Sequence, residues 1–332
     1  MIDIGNIIDA AFSNAFGPQA IVFALAAIGL NIHFGYTGLL NFGQAGFMAV
    51  GAYGLSVTMV RLDLPLPVGI AVGMLAALLL ALVLGVPTLR LRADYLAIVT
   101  IAAAEILRLV FGAVETKKVF GGSNGLNGFT DTWNELNPYT GGIDIGIASW
   151  GKNDLWAMTV GWILVALCCL LTWALMRSPW GRVLRSIRED EDAVRSLGKN
   201  VFLYKMQALM LGGVIGGLGG IFYALKQASV VPSDYSTNLT FFAYTALLIG
   251  GAARVLGPVV GSMIFWFLIS GLGEFFSQAT RGIDPLIPAS VMTDTQASLI
   301  RYILMGLGLM LLMIYRPQGI FGDRREIALD DR

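Results

Sequence analysis

Residues 176–205 read MRSPWGRVLRSIREDEDAVRSLGKNVFLYK, the one long charged island in an otherwise apolar chain. Positions 177–205 hold eleven of the charged residues, which in the whole chain comprise 22 Lys or Arg and 22 Asp or Glu. A mostly apolar segment of about twenty residues, the length that crosses a bilayer as a helix, flanks the island on each side. The island is therefore predicted to be a loop between two membrane-spanning helices.

The composition of the rest of the chain agrees with this interpretation. Of 332 residues, 56% are apolar and 13% are charged, roughly half of the ~25% charge found in soluble domains. The formal net charge is zero, so no basic body predicts a nucleic-acid partner. The sequence thus predicts an all-α polytopic membrane protein in contact with lipid.

Nine apolar segments have about the length of a membrane span. They lie near 18–34, 38–60, 66–87, 95–113, 155–175, 205–225, 240–254, 257–277 and 297–315. Residues 1–17 are long enough for a short interfacial helix. The second segment is rich in glycine and the seventh is short, so either is a candidate broken or re-entrant helix. The prediction is therefore about nine to ten transmembrane helices.

The basic residues predict the orientation, because loops rich in Lys and Arg remain in the cytoplasm. With the 177–205 loop inside, the inner connections receive its seven basic residues and also Arg90, Arg92, Arg254, Arg316, Arg324, Arg325 and Arg332. The outer connections receive Arg61, Lys117, Lys118, Lys152, Lys226 and Arg281. The N-terminus is then outside, the C-terminus is cytoplasmic, and residues 114–154 form an extracytoplasmic loop. Glycine-rich turns are expected at 121–128 and 138–142.

The charged island has the periodicity of an amphipathic helix. Its apolar positions are Trp180, Val183, Leu184, Ile187, Val194 and Leu197, and its charged side carries Arg182, Arg185, Arg188, Glu189, Asp192 and Arg195. Ser178 is the expected N-cap, Pro179 suits a first turn, and Gly198 suits the end of the helix. Two interpretations are open: a helix that lies on lipid headgroups, and a helix that docks on another protein.

The second segment contains candidate residues of a substrate pathway. Asn41 and Gln44 lie one turn apart, and buried amides in a membrane are costly unless they face a cavity or a partner. Gly46 belongs to a set of glycines that also suits close helix packing. Packing between helices and lining of a substrate path are both open for these residues.

The fourth segment carries a carboxylate near the centre of the bilayer. Glu105 and Arg108 lie three residues apart on one helical face, so they form either a structural ion pair or part of a functional site. The chain's single histidine, His33, has no Cys, Asp or second His near it in sequence. A packed polar role is the favoured interpretation of His33, rather than metal binding or proton transfer.

Several enzymatic chemistries have no sequence support. The chain lacks a GxxxxGK[ST] phosphate loop, an HExxH motif and a CxxC motif, and no nucleophile–base pair is apparent. We therefore expect no catalytic residues, no metal site and no cofactor bound by this chain. If ATP drives the protein, a partner subunit must bind the ATP and its Mg²⁺.

Six fragments in order resemble a known family. They are GYTGLLNFGQAGFMAVGAY from Gly35, YLAIVTIAAAEILRLV from Tyr95, GGSNGL from Gly121, SPWGRVLRSIREDEDAVRSLG from Ser178 with a following YK, GGAARVLGPVVGS from Gly250, and RPQGIFG from Arg316. Spread over residues 29–322, they are similar to the permease subunits of branched-chain amino-acid ABC importers of the LivM type. The resemblance implies that residues 1–332 form a single transmembrane permease domain in a bacterial or archaeal cell (inner) membrane.

The resemblance also implies partners and a site. These are a second permease of the LivH type, two cytoplasmic ATPases and an extracytoplasmic substrate-binding protein. The loop at 177–205 is similar to the ATPase-coupling loop of ABC importers, with Glu191, Asp192 and Ala193 at its EAA positions. Leu197 stands where that pattern has glycine, and Gly198 follows one residue later. The implied substrates are branched-chain amino acids; urea or short amides, and an ATP-independent secondary transporter using Glu105, are the alternatives.

Overall fold

The computed structural model describes residues 3–90, 93–280 and 293–322, and these ranges are mainly helical. The α-helices are α1 (Ile4–Phe16), α2 (Pro18–Leu30), α3 (Gln44–Leu62), α4 (Leu66–Thr88), α5 (Ala93–Gly112), α6 (Lys117–Phe120), α7 (Asp131–Glu135), α8 (Lys152–Arg177), α9 (Pro179–Glu189), α10 (Glu191–Ser196), α11 (Val201–Gln227), α12 (Thr237–Gly250), α13 (Gly257–Thr280) and α14 (Asp294–Tyr315). The strands are β1 (Leu126–Asn127), β2 (Ile143–Asp144), β3 (Ser149–Trp150) and β4 (Ser229–Val230).

The predicted all-α membrane architecture is confirmed, with a changed count of spans. Within the described ranges, eight segments are long and apolar enough to cross a membrane, with Ile4–Tyr36 counted as one. The predicted seventh span, 240–254, corresponds to α12, which has only 14 residues. At ~1.5 Å per residue α12 is about 21 Å long, shorter than the ~30 Å hydrocarbon core. It ends because Gly251, at φ +104°, leaves the helical region.

The N-terminal helix α1 is not isolated from the bundle. The ring of Phe12 meets that of Phe267 on α13 edge-to-face, with ring centroids 5.2 Å apart, and the backbone N–H of Asp3 donates to Gln278 Oε1 at 2.7 Å. The expected interfacial helix of residues 1–17 therefore packs along a candidate spanning helix.

The glycine-rich helix α11 lies at the centre of the bundle, packed against α2, α3 and α4. Its glycines permit close approach: a Cβ on Gly213 would lie 2.6 Å from the ring of Phe47. In lipid, where apolar surface gives little drive for helices to associate, small residues allow the close contacts that hold them together. The predicted use of glycines in tight packing is confirmed for α3 as well, where Gly51 meets Gly217 and Gly54 meets Gly73.

Connections predicted on the same side of the membrane meet one another. On the outer side, β1 pairs with β4, so the 114–154 loop contacts the turn after α11. On the inner side, Asn31 Nδ2 donates to the carbonyl of Arg254 at 2.8 Å. Which of the two sides is cytoplasmic stays a prediction. Some of the basic residues on which this orientation rests lie outside the described residues: Arg92, Arg281, Arg324, Arg325 and Arg332.

The outer loop is folded. Gly121, Gly122, Gly125 and Gly128 all have positive φ, which confirms the turns expected at 121–128 and explains the choice of glycine there. Strands β2 and β3 form a hairpin, and Trp156 Nε1 on α8 donates to the carbonyl of Trp133 at 3.1 Å.

A glycine substitution tests the packing of α11. We expect Gly212→Ala to destabilise the protein by roughly 1–3 kcal/mol, because the added Cβ would overlap the His33 ring and the Gly29 carbonyl. Thermal unfolding of the purified protein measures the effect. Gly308→Ala on α14 is the matched control, because nothing lies within 4 Å of its added Cβ. Equal unfolding temperatures for the two variants would contradict the close-packing role.

Candidate functional site

The chain leaves α-helical geometry between α2 and α3. Residues Asn31–Tyr36 form a π-helical turn, and residues 38–43 have no regular structure before α3 begins at Gln44. Gly38 has a φ of +73°, a conformation that glycine adopts without steric cost. The predicted second span therefore begins with a broken stretch, as its glycine content suggested, and we call residues 31–43 the broken segment.

Three buried side chains form a polar network beside the broken segment. Asn41 Nδ2 lies 3.0 Å from His33 Nδ1 and donates to Gln44 Oε1 at 3.3 Å. His33 Nε2 lies 3.1 Å from the carbonyl oxygen of Leu209 on α11. Because a carbonyl only accepts, Nε2 carries the proton and Nδ1 accepts from Asn41. The network thus selects one neutral tautomer of His33 and fits the packed polar role predicted for it.

Polar groups in and beside the break also find partners on three further helices, α2, α5 and α12. Gln44 Nε2 donates to the carbonyl of Ala26 on α2 at 3.2 Å. Tyr244 on α12 donates its hydroxyl to the carbonyl of Asn41 at 2.9 Å, and Thr100 on α5 accepts from the N–H of Phe42 at 3.1 Å. Such pairing is required because unpaired polar groups in a membrane interior cost several kcal/mol each.

Gly46 and Glu105 lie apart from this network. A Cβ on Gly46 would be 3.0 Å from the Cβ of Ala104, so Gly46 lies at the contact between α3 and α5. Glu105 accepts hydrogen bonds at 3.0 Å from Nε of Arg108, and the side chains of this pair are 40% and 28% exposed, respectively. The i, i+3 ion pair, one of the two alternatives for these residues, is therefore present, and a functional role for Glu105 stays a prediction. A substrate path through Asn41, Gln44, Gly46 and Glu105 stays a prediction.

The charged loop contains two helices where one was predicted. Helix α9 ends at Glu189, Asp190 is extended, and α10 begins at Glu191. The Asp190 carboxylate accepts from the N–H groups of Asp192 and Ala193 at 3.0 Å, so this residue is an N-cap that interrupts the predicted helix. Ser178 occupies the expected N-cap position without a capping bond from its side chain, and Gly198 follows α10 at φ +74°.

The apolar face of this loop packs on the permease itself. Leu184, Ile187 and Val194 are buried, whereas Leu197 is 79% exposed and does not belong to the packed face. Trp180 Nε1 donates to Gln207 Oε1 on α11 at 2.8 Å. The apolar stripe therefore anchors the loop to the bundle and leaves the polar side of the loop exposed.

The predicted coupling residues divide into two groups. Arg182, Arg185, Asp192, Ala193 and Gly198 are exposed. Arg188 Nη1 instead donates inward to the carbonyl of Gly35 in the broken segment at 2.6 Å. Glu191 forms ion pairs with Lys205 on α11 and with Arg195 on α10. The first group thus faces outward apart from Arg185, whose guanidinium donates to the carbonyl of Met176 at 3.4 Å and lies over the Tyr36 ring. The second group connects the loop to the rest of the chain.

Sequence reasoning missed several partners of the network. Leu209 contributes a backbone carbonyl, which has no sequence signal, and Thr100 and Tyr244 lie far from the break in sequence. The small residues at Gly212 and Gly216 were the available signal, because both would overlap the network if they carried a Cβ. Among the residues that the structure describes, no group of three or more His, Cys, Asp or Glu side chains could hold a metal ion.

Removal of an amide tests the network. We expect Asn41→Ala to lower the stability by about 1–3 kcal/mol for each buried group that loses its partner, here the N–H of Gly43 and Nδ1 of His33. Thermal unfolding of the purified protein checks this, with Asn238→Ala on the exposed side of α12 as control. An Asn41→Ala protein as stable as the control would show that the network does not support the break.

Comparison with known proteins places the chain in a family. The family described as branched-chain amino acid transport system / permease component matches residues 16–315. The high-affinity branched-chain amino acid transport system permease protein LivM of Escherichia coli (strain K12) is 30% identical over 318 residues, covering 90% of this chain and 68% of that protein. A probable LivM from Methanocaldococcus jannaschii is 23% identical over 342 residues and 91% of each chain.

Two more distant likenesses complete the comparison. The nucleoside ABC transporter permease protein NupC of Lactococcus lactis is 28% identical over 246 residues, covering 70% of this chain and 73% of that one. The solved structure of PsaBC from Streptococcus pneumoniae in complex with Fab aligns with 92% of this chain and 95% of that one, at a TM-score of 0.43 and 17% identity, too distant to bear on the site. The chain is a multi-pass membrane permease subunit, not itself catalytic, and belongs to the branched-chain amino acid transport permease family.

Proposed function

We propose that this permease imports branched-chain and similar hydrophobic amino acids, powered by ATP hydrolysis on two cytoplasmic ATPase subunits. A LivH-type permease is the second half of the pore, and an extracytoplasmic binding protein delivers the substrate. The observation that carries the proposal is the family match over residues 16–315. ATP and Mg²⁺ belong to the partner subunits in this account.

The exposed side of the charged loop suits an ATPase surface. Because the apolar face of α9 is buried in this chain, a partner meets Arg182, Asp192 and Ala193. Arg182 is positively charged and Asp192 is negatively charged, so docking depends on complementary charges on the ATPase. In this mechanism, closure of the ATPase dimer moves the loop, and the loop moves the adjoining helices α8 and α11 to switch access between the two sides.

The partly exposed ion pair on α5 suggests where the second permease lies. Glu105 and Arg108 are near the middle of a candidate span, and their neighbours Ile106 and Leu109 are also exposed. A charged pair facing hydrocarbon is costly, so such groups face protein or a water-filled cavity. We assign this face of α5 to the contact with the second permease and to the path between the two subunits.

Two alternatives are tested by the same measurement. The likeness to a nucleoside permease is a reason to test other solutes, including urea and short amides. A secondary transporter would use Glu105 and would need no ATP.

We expect the complex reconstituted in vesicles with its binding protein to take up radiolabelled leucine only with ATP, with competition from isoleucine and none from urea. Uptake driven by a proton gradient without ATP, or uptake of urea in place of leucine, would contradict the proposal.

Charge reversal on the exposed side tests the docking surface. We expect Arg182→Glu combined with Asp192→Arg to lower binding-protein-stimulated ATP hydrolysis and leucine uptake about tenfold, which corresponds to ~1.4 kcal/mol of lost docking energy. Asp144→Arg in the outer hairpin is the control, because it is exposed on the opposite side. Full hydrolysis and uptake by the double variant would remove this surface from the ATPase interface.

A further inference from the structure

Arg188 connects the charged loop directly to the broken segment. It lies near the end of α9, and its Nη1 donates to the carbonyl of Gly35 at 2.6 Å. Its Nη2 donates to Glu189 Oε1 at 3.1 Å, and the Arg188 side chain is 24% exposed. A charged donor to a backbone carbonyl makes a stronger hydrogen bond than a neutral one. The charged loop at 177–205, called the docking loop from here on because of its proposed contact with the ATPase, therefore holds the broken segment by its backbone.

The contact continues along the Arg188 side chain. A Cβ on Gly38 would lie 3.2 Å from Cγ of Arg188, so the turn at Gly38 rests against the arginine stem. A cavity of about 260 Å³ adjoins the two residues, and its lining includes Thr37, Thr88 and Lys205. Arg188 thus contacts the broken segment at both Gly35 and Gly38, and the cavity borders that contact.

The broken segment is held by hydrogen bonds to neighbouring helices rather than by a helical ladder of its own. Residues 38–43 have no helical hydrogen-bond ladder, so their displacement costs fewer backbone bonds than the displacement of a helix. Asn41 in this stretch holds both His33 and Gln44. A shift of Gly35 and Gly38 would therefore reach the network without unwinding α3.

We propose that Arg188 is a positioning residue that transmits displacement of the docking loop, through Gly35 and Gly38, to the network of His33, Asn41 and Gln44. This inference rests on the proposed function, since it requires a loop that ATPase subunits move. Arg188 contacts no substrate in this account. The ion pair of Glu191 with Lys205 attaches the loop to α11. In this account α9 turns about that attachment.

The test measures how much leucine is taken up for each ATP hydrolysed. The full transporter with its binding protein is reconstituted in vesicles with Arg188→Gln, Arg188→Lys or the control Arg316→Gln, at an exposed arginine outside the charged loop. We expect Arg188→Gln to lower the ratio of leucine to ATP about tenfold while the ATPase subunits still co-purify. Arg188→Lys should recover part of the loss, because an ammonium group also donates to the Gly35 carbonyl. Arg316→Gln should match the wild type.

The outcomes separate this inference from the proposed function. If the wild-type complex takes up leucine with ATP and Arg188→Gln has the same leucine-to-ATP ratio, only the role of Arg188 is wrong. If Arg188→Gln loses its ATPase subunits, the residue serves docking and the inference is wrong. If the wild type shows no ATP-driven leucine uptake, the proposed function fails and the inference fails with it. Gly38→Ala, which crowds Arg188 from the other side, should lower the ratio in the same direction and provides a second variant if Arg188→Gln does not fold.

Discussion

A break in a helix inside a membrane protein can persist only where every freed polar group finds a partner. Residues 38–43 interrupt the helical structure between α2 and α3. Side chains from α5 and α12 form hydrogen bonds with backbone groups that have no helical partner there. The network of His33, Asn41 and Gln44 completes this pairing against α2 and α11. Gly212 and Gly216 make the arrangement possible, because any larger side chain on that face of α11 would occupy the same space.

The charged loop depends on this break for its inner contact. Its apolar face is buried on the bundle, so the loop is attached to the permease instead of lying free at the surface. Arg188 reaches the carbonyl of Gly35, while Arg182 and Asp192 face outward. One face of the loop is thus open to a partner, and the other contacts the broken segment.

Much of the architecture was predictable because its signals are local. The length of apolar runs predicted the long helices, and the glycines at 121–128 predicted the turns. The interruption at Asp190 was missed because the apolar period continues through it, although Asp190 before Glu191 and Asp192 has the composition of a helix start. Leu197 was wrongly assigned to the buried apolar face, because the same apolar period was continued beyond Asp190. The partner of His33 is a backbone carbonyl 176 positions away, which no pattern of side chains reports.

The most direct test of the account is hydrogen–deuterium exchange across residues 31–43 in the reconstituted transporter, compared between the ATP-bound and nucleotide-free states. The account predicts that ATP binding changes exchange at the docking loop and at 38–43 together, and that Arg188→Gln abolishes the change at 38–43 alone. If the docking loop responds to ATP while the broken segment exchanges identically in both states, the break is a static feature of packing and plays no part in transport.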